Sequence, residues 1–270
     1  MTKIKLRSYH QVNREERFYC MLIAHCLLSS KSARDGFAKV IHDDTGLPGI
    51  FSDTRDFEVF VEVAALRDYW RELGDPKRYD SGIEQARRAF LHKALEWANE
   101  LDSDAEKGWS RTSPDLLDKT LGSPFWTKKR DKSPGKLCSP ALWPIEQLNK
   151  KDSSRPCVER LKRLRWAFNA KPDLLVLAGE HGVLIETKVE SGSGSNKDGY
   201  KQLPTQGNIL SLWKHFDLPG LNGNIFLMTL GKGRKPSGSE HHMNWKQLIE
   251  GIGLKNMDPF TARCLGRFSG

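Results

Sequence analysis

Two carboxylates and a lysine stand in the strings Pro172-Asp173 and Glu186-Thr187-Lys188. A hard divalent cation such as Mg²⁺ takes oxygen ligands and commonly uses only one or two carboxylates. An ammonium fixed beside such a cation orients a water or stabilises negative charge growing on phosphorus. The set Asp173, Glu186 and Lys188 therefore points to hydrolysis of a phosphodiester, which needs no serine or cysteine nucleophile.

A hairpin has to bring the three together. Leu174 to Leu177 and Val183 to Ile185 are apolar runs separated by Gly179-Glu180-His181-Gly182, and runs of this length bounded by turn residues read as buried strands. The glycines supply positive φ where a turn needs it. Glu186 and Lys188 are two apart and project from one face of a strand. With the turn centred between Glu180 and His181, Asp173 lies opposite Lys188 and diagonal to Glu186. Diagonal neighbours are roughly 7–8 Å apart, close enough for both carboxylates to reach one cation. Val183-Leu184-Ile185 is apolar on both faces, so this strand is expected in the middle of a covered sheet.

On these residues the chain resembles the PD-(D/E)XK nuclease superfamily, with its restriction-endonuclease-like fold. The likeness covers Arg163 to about Leu230 and extends loosely to Leu248, with a glycine-rich loop, a helix and another strand following the hairpin. It implies an α/β protein: a restriction-endonuclease-like core with a mixed central sheet flanked by helices, plus a large, mainly helical N-terminal region. It implies that Asp173 and Glu186 bind Mg²⁺, with Mn²⁺ as a substitute, that the Thr187 carbonyl assists, and that Lys188 supports the attacking water. A helix ahead of the sheet is expected to bring a glutamate to the site. Asn13 and Glu16 fit a capping box, which leaves Glu15 as the auxiliary acid. Two first-turn carboxylates favoured by the helix dipole are the plain alternative. The helix after the loop is expected to carry Gln202.

Composition agrees with a nucleic-acid partner. The 270 residues have a formal net charge of +9. Twelve Lys and Arg against four Asp and Glu fall between Trp126 and Ala170, so that block nearly accounts for the excess. Such stretches bind phosphate backbones in a salt-dependent way. Arg163 and Arg165, just before the hairpin, and Lys197, Lys201 and Gln202, after it, are the candidate contacts. No run approaches the roughly 18 apolar residues of a membrane span. The five cysteines form no C-x-x-C pair, which argues against a zinc site or a disulfide framework and makes a reducing cytoplasm the default. Gly231 to Pro236 lacks P-loop spacing, so no nucleotide triphosphate site is expected. His241-His242 reads as a loop pair.

Upstream, helices are expected over about 14–29, 33–42, 57–73 and 81–101. Proline-interrupted loops follow to Pro156, with Trp109, Trp126 and Trp143 among basic residues. Later come a helix ending near Phe216, a strand over 224–230 and a helix over 245–252. The division expected is a helical region, 1–156, holding the first core helix and an insertion, and a nuclease core, 157–270. The function expected is a Mg²⁺-dependent DNA endonuclease, of the type II restriction or another phage-defence kind, with a homodimer implied by the resemblance. RNA is a second possible substrate. The alternative is a catalytically silent nucleic-acid-binding or assembly subunit of the same fold.

Overall fold

A computed structural model describes residues 15–46, 56–74, 81–100, 139–143, 156–188, 202–218, 220–221, 223–232, 235–236, 239 and 241–269. The chain is α/β, and its described strands form one mixed five-stranded sheet in the order β1-β2-β3-β4-β5. These are β1 (Phe57–Val61), β2 (Leu174–Ala178), β3 (His181–Thr187), β4 (Asn224–Gly231) and β5 (His241–Asn244). β1 to β3 form an antiparallel meander, whereas β4 runs parallel to β3 and β5 parallel to β4.

The middle strand is the one the apolar run indicated. Val183, Leu184 and Ile185 are all buried in β3. Between β2 and β3 the turn is Gly179-Glu180, two residues long, with Gly179 at φ +59°. Turns of this length fix the register. Leu174 pairs with Ile185, so continuing the ladder one step sets Asp173 opposite Glu186, not opposite Lys188. The turn lies one residue earlier than expected. Gly182 belongs to β3, where a Cβ would come 2.5 Å from Leu177 Cδ2.

Phe57–Val61 is a strand where a helix was expected to begin. Its five residues, Phe-Glu-Val-Phe-Val, are aromatic or β-branched at all but one position, and such side chains suit a pleated surface better than a helix. Helix α3 (Ala65–Glu72) follows it.

The chain divides into two compact units. One comprises Met1–Val63, Lys171–Pro204 and Gly220–Gly270 and contains the sheet. β1 comes from the N-terminal part yet pairs with β2 along its whole length, so the sheet draws on both sides of the boundary expected at 156. In this unit α1 (Glu16–Ser29), α2 (Lys31–Thr45), α7 (Trp245–Ile252) and α8 (Pro259–Leu265) share one apolar core with the sheet. Tyr19, Ile23, Phe37, Ile41, Val176, Val183, Trp245 and Ile249 are each fully or almost fully buried there. α7 starts where the sequence placed it because Asn244 and Gln247 form a reciprocal capping box. α2 and α7 cross at two glycines. A Cβ on Gly36 would lie 2.1 Å from Gly251 O, and one on Gly251 would lie 1.8 Å from Val40 Cγ2.

The second unit comprises Ala64–Ala170 and Thr205–Pro219. It contains α3, α4 (Ser81–Glu100), α5 (Pro156–Asn169) and most of α6 (Gln202–Phe216). Phe90 is its centre, stacked on Phe216 at 4.2 Å and meeting Trp70 and Phe168 edge-on. Trp143 is buried, while Trp109 and Trp126 lie outside the described residues. α6 runs through Pro204 and Gly207 without interruption. Pro204 sits in the first turn, where its missing N–H leaves no intrahelical bond unmade.

Gly36→Ala is expected to destabilise the protein by about 1–3 kcal/mol through overpacking. Thermal unfolding checks this, and an unchanged midpoint would mean that the helices do not meet at this glycine pair.

Candidate active site

The site lies where β3 ends beside β4. Lys188 N–H donates to Leu230 O at 2.7 Å, and the Trp245 indole donates to Lys188 O at 3.0 Å. The backbone on both sides of the Lys188 Cα is therefore fixed. From there the ammonium donates to Glu186 Oε1 at 2.9 Å and to the Thr187 carbonyl at 2.7 Å. Glu186 is 1% exposed and the Lys188 side chain 13% exposed.

Asp173 stands just ahead of β2. Its Oδ2 accepts from Thr187 N–H at 2.8 Å and from the Thr187 hydroxyl at 2.9 Å. The hairpin register, which puts Asp173 opposite Glu186, makes this double bond possible. Its backbone carbonyl accepts from Glu62 N–H, a residue at φ +54° directly after β1. A glutamate in the left-handed region is uncommon and carries strain. Here it continues the β1–β2 ladder past the end of the strand, where its carboxylate pairs with Arg17 at 2.6 Å.

The three residues singled out by spacing thus converge. Of the two glutamates at the start of α1, Glu16 is the one seen against Lys188. α1 begins at Glu16, its N-cap is Glu15, and the N-cap side chain makes no capping bond. Asn13 lies outside the described residues. Glu16 reaches the site, with Oε2 3.5 Å from Lys188 Nζ. Glu15 is exposed. The signal was the pair itself: two adjacent glutamates at a helix start point in different directions, and only one can face the sheet. One turn along α1, Cys20 Sγ lies 3.4 Å from Thr187 Oγ1. Burial first, then the Asp173 charge, holds its thiol far above the usual range.

The electrostatics are those of crowded anions. Burial pushes the Glu186 carboxyl up to about 7, the neighbouring Asp173 adds to this, and Lys188 opposes it. Burial alone would depress the Lys188 ammonium, but Glu186, Glu16 and Asp173 outweigh it and raise its pKa. Lys188 thus interacts with all three carboxylates. Among the described residues no group of three or more His, Cys, Asp or Glu is arranged to hold a metal. The site offers two carboxylates and the Thr187 carbonyl, and Mg²⁺ ordinarily completes its shell with water and phosphate. An oxygen-only donor set with surplus negative charge fits such an ion.

Of the expected nucleic-acid contacts, Arg163 and Arg165 lie on α5 in the second unit. Arg165 Nε donates to Trp143 O at 2.6 Å, so this guanidinium tethers a loop to α5. Arg163 is half-buried on the same helix, and Lys162 beside it is buried. Lys197, Lys201 and the side chain of Gln202 lie outside the described residues. His241-His242 is in β5, not a loop. No helix among the described residues is long and apolar enough to cross a membrane.

Compared with protein-family models, curated proteins and solved structures, the chain gives no match in any of the three.

A carboxyl whose folded pKa is raised costs the folded state nothing below its ordinary pKa of 4.5 and its full penalty above about 7. In chelator, the stability of the wild type is expected to fall relative to that of Glu186→Gln as pH rises from 4.5 to 7. Denaturant unfolding across this range checks the sign, and parallel curves for the two proteins would refute it.

Proposed function

We propose that the chain is a Mg²⁺-dependent nuclease of the PD-(D/E)XK type acting on DNA. The observation behind this reading is the convergence of Asp173, Glu186 and Lys188 at one end of a central strand. The chain order that the resemblance asks for also supports it: a helix (α1), a hairpin (β2–β3), a helix (α6) and a further strand (β4). On this reading the mixed sheet is a restriction-endonuclease-like core, and Ala64–Ala170 is an insertion between β1 and β2.

Asp173 and Glu186 are the residues that would hold the ion, with the Thr187 carbonyl alongside. Bound there, Mg²⁺ polarises a phosphoryl oxygen and acidifies a water. The chain's own groups do the rest. The two Thr187 donors fix the direction of the Asp173 carboxylate. The Lys188 ammonium, kept charged by Glu186 and Glu16, orients the attacking water and faces the charge that develops on the phosphoryl group. Glu16 positions Lys188 from the side opposite the hairpin. Burial of Glu186 removes competing water, which strengthens each of these interactions.

Plasmid cleavage with Mg²⁺ tests the proposal. Asp173→Ala and Lys188→Ala are each expected to lose roughly 100-fold or more of the rate, the scale of losing one stabilising group. DNA binding, measured in Ca²⁺, should persist in both. Cleavage by Asp173→Ala at the wild-type rate would overturn the mechanism. DNA binding with no cleavage by the wild type would favour a silent subunit.

Between the neighbouring glutamates, Glu16→Gln is expected to slow cleavage more than Glu15→Gln. The reverse order would place the auxiliary acid at the N-cap after all.

A further inference from the structure

Two side chains one turn apart on α1 meet the end of β3. Glu16 Oε2 lies 3.5 Å from Lys188 Nζ, and Cys20 Sγ lies 3.4 Å from Thr187 Oγ1. Residues four apart share a helix face, so a single docking of α1 makes both contacts. Thr187 stands between the two halves of the site. Its carbonyl accepts from Lys188 Nζ at 2.7 Å, and its amide and hydroxyl both donate to Asp173 Oδ2. Among the described residues, both hydrogen bonds that the Asp173 carboxylate receives fall on Oδ2, so Oδ1 is the oxygen it can give to a cation.

Proton counting gives the direction of the thiol contact. The Thr187 hydroxyl carries one proton and donates it to Asp173 Oδ2 at 2.9 Å. What its oxygen offers Cys20 is a lone pair, so the S–H donates. The thiol keeps its proton for this, because burial and then the Asp173 charge push it far above the usual range. Cys20 and Thr187 are both fully buried, so water does not compete for the Thr187 oxygen. A donor bonded to a hydroxyl oxygen polarises the O–H, which strengthens the bond that the hydroxyl itself makes. A thiol suits this place because it behaves as a small hydrophobe with a weak donor. Its neighbours along that face of α1, Ile23 and Ala24, are buried as well.

We propose that Cys20 is a positioning residue, whose S–H holds the Thr187 hydroxyl on Asp173 and so fixes the direction in which that carboxylate meets a divalent cation. The inference rests on the nuclease reading. α1 then serves both halves of the site, Lys188 through Glu16 and Asp173 through Cys20 and Thr187. Groups that stand behind a metal ligand orient it and tune its affinity, and Cys20 acts one step further out than Thr187.

Two measurements test this, and neither needs cleavage. Raman spectra in chelator show the S–H stretch, which falls in frequency when the thiol donates. The Cys20 band, assigned by difference from Cys20→Ala, is expected below the free-thiol frequency in the wild type and back at it in Thr187→Val. Mn²⁺ binding, followed by EPR without DNA, gives the consequence. Cys20→Ala is expected to weaken it about tenfold and Thr187→Val by about 10–100-fold, the range for a partner behind a metal ligand. In the Thr187→Val background Cys20→Ala should cost nothing more, because its route to Asp173 is gone. A residue that only fills space would cost the same in both backgrounds. A free-thiol band in the wild type, or equal Mn²⁺ losses in the two backgrounds, would overturn the positioning role while leaving the nuclease reading intact. A wild type that binds no Mn²⁺ and cuts no phosphodiester would overturn that reading, and this role with it.

Discussion

Desolvation of like charges is the constraint around which this structure is arranged. Glu186 is buried with Asp173 next to it, and water cannot screen the two from each other. Such a pair exists only if something nearby compensates it. Lys188 does so in part, and its ammonium has to be held where it is useful. The Trp245 and Leu230 bonds to its backbone and the Glu16 carboxylate at its tip provide this. The helices that pack on the sheet thus shape the local field as well as excluding water. On the reading proposed above, a divalent cation would add positive charge to this cluster.

Much of this could be read from the residues because strand chemistry has a short period. Apolar runs with a glycine between them specify a hairpin, and a spacing of two puts Glu186 and Lys188 on one face whatever the turn does. The turn itself was less legible. Moving it by one residue keeps every side chain on its face and changes only its partner, so the pattern of apolar residues could not tell Lys188 from Glu186 as the neighbour of Asp173. Phe57–Val61 is too short for its periodicity to separate it from the helix behind it. Its identity as a strand comes from β2, more than a hundred residues later.

The auxiliary residues were hidden for a different reason. Glu16 was explained by a local motif, and that explanation left only its neighbour for the site. Cys20 has no signature at all in one dimension. It joins Thr187 and Asp173 only because α1 packs against the end of β3, and nothing in the sequence around Cys20 announces that contact. The basic block upstream of the hairpin is only partly accounted for by internal contacts. Charge density suggested a phosphate-binding face, yet part of it is spent on internal packing, with Lys162 buried and Arg165 bonded to a loop carbonyl.

The contacts made by α1 also set the order of events when the protein is made. Glu16 and Cys20 meet Lys188 and Thr187 across 172 and 167 positions of chain. Contacts so distant close late, since the entropy of a long loop is lost before they repay it. During synthesis α1 leaves the ribosome first and has to wait for β3 before its partners exist. Until then its apolar face has no sheet to cover it, and no charged cleft can assemble. A chain interrupted before Lys188 cannot bring Glu16, Glu186 and Lys188 together.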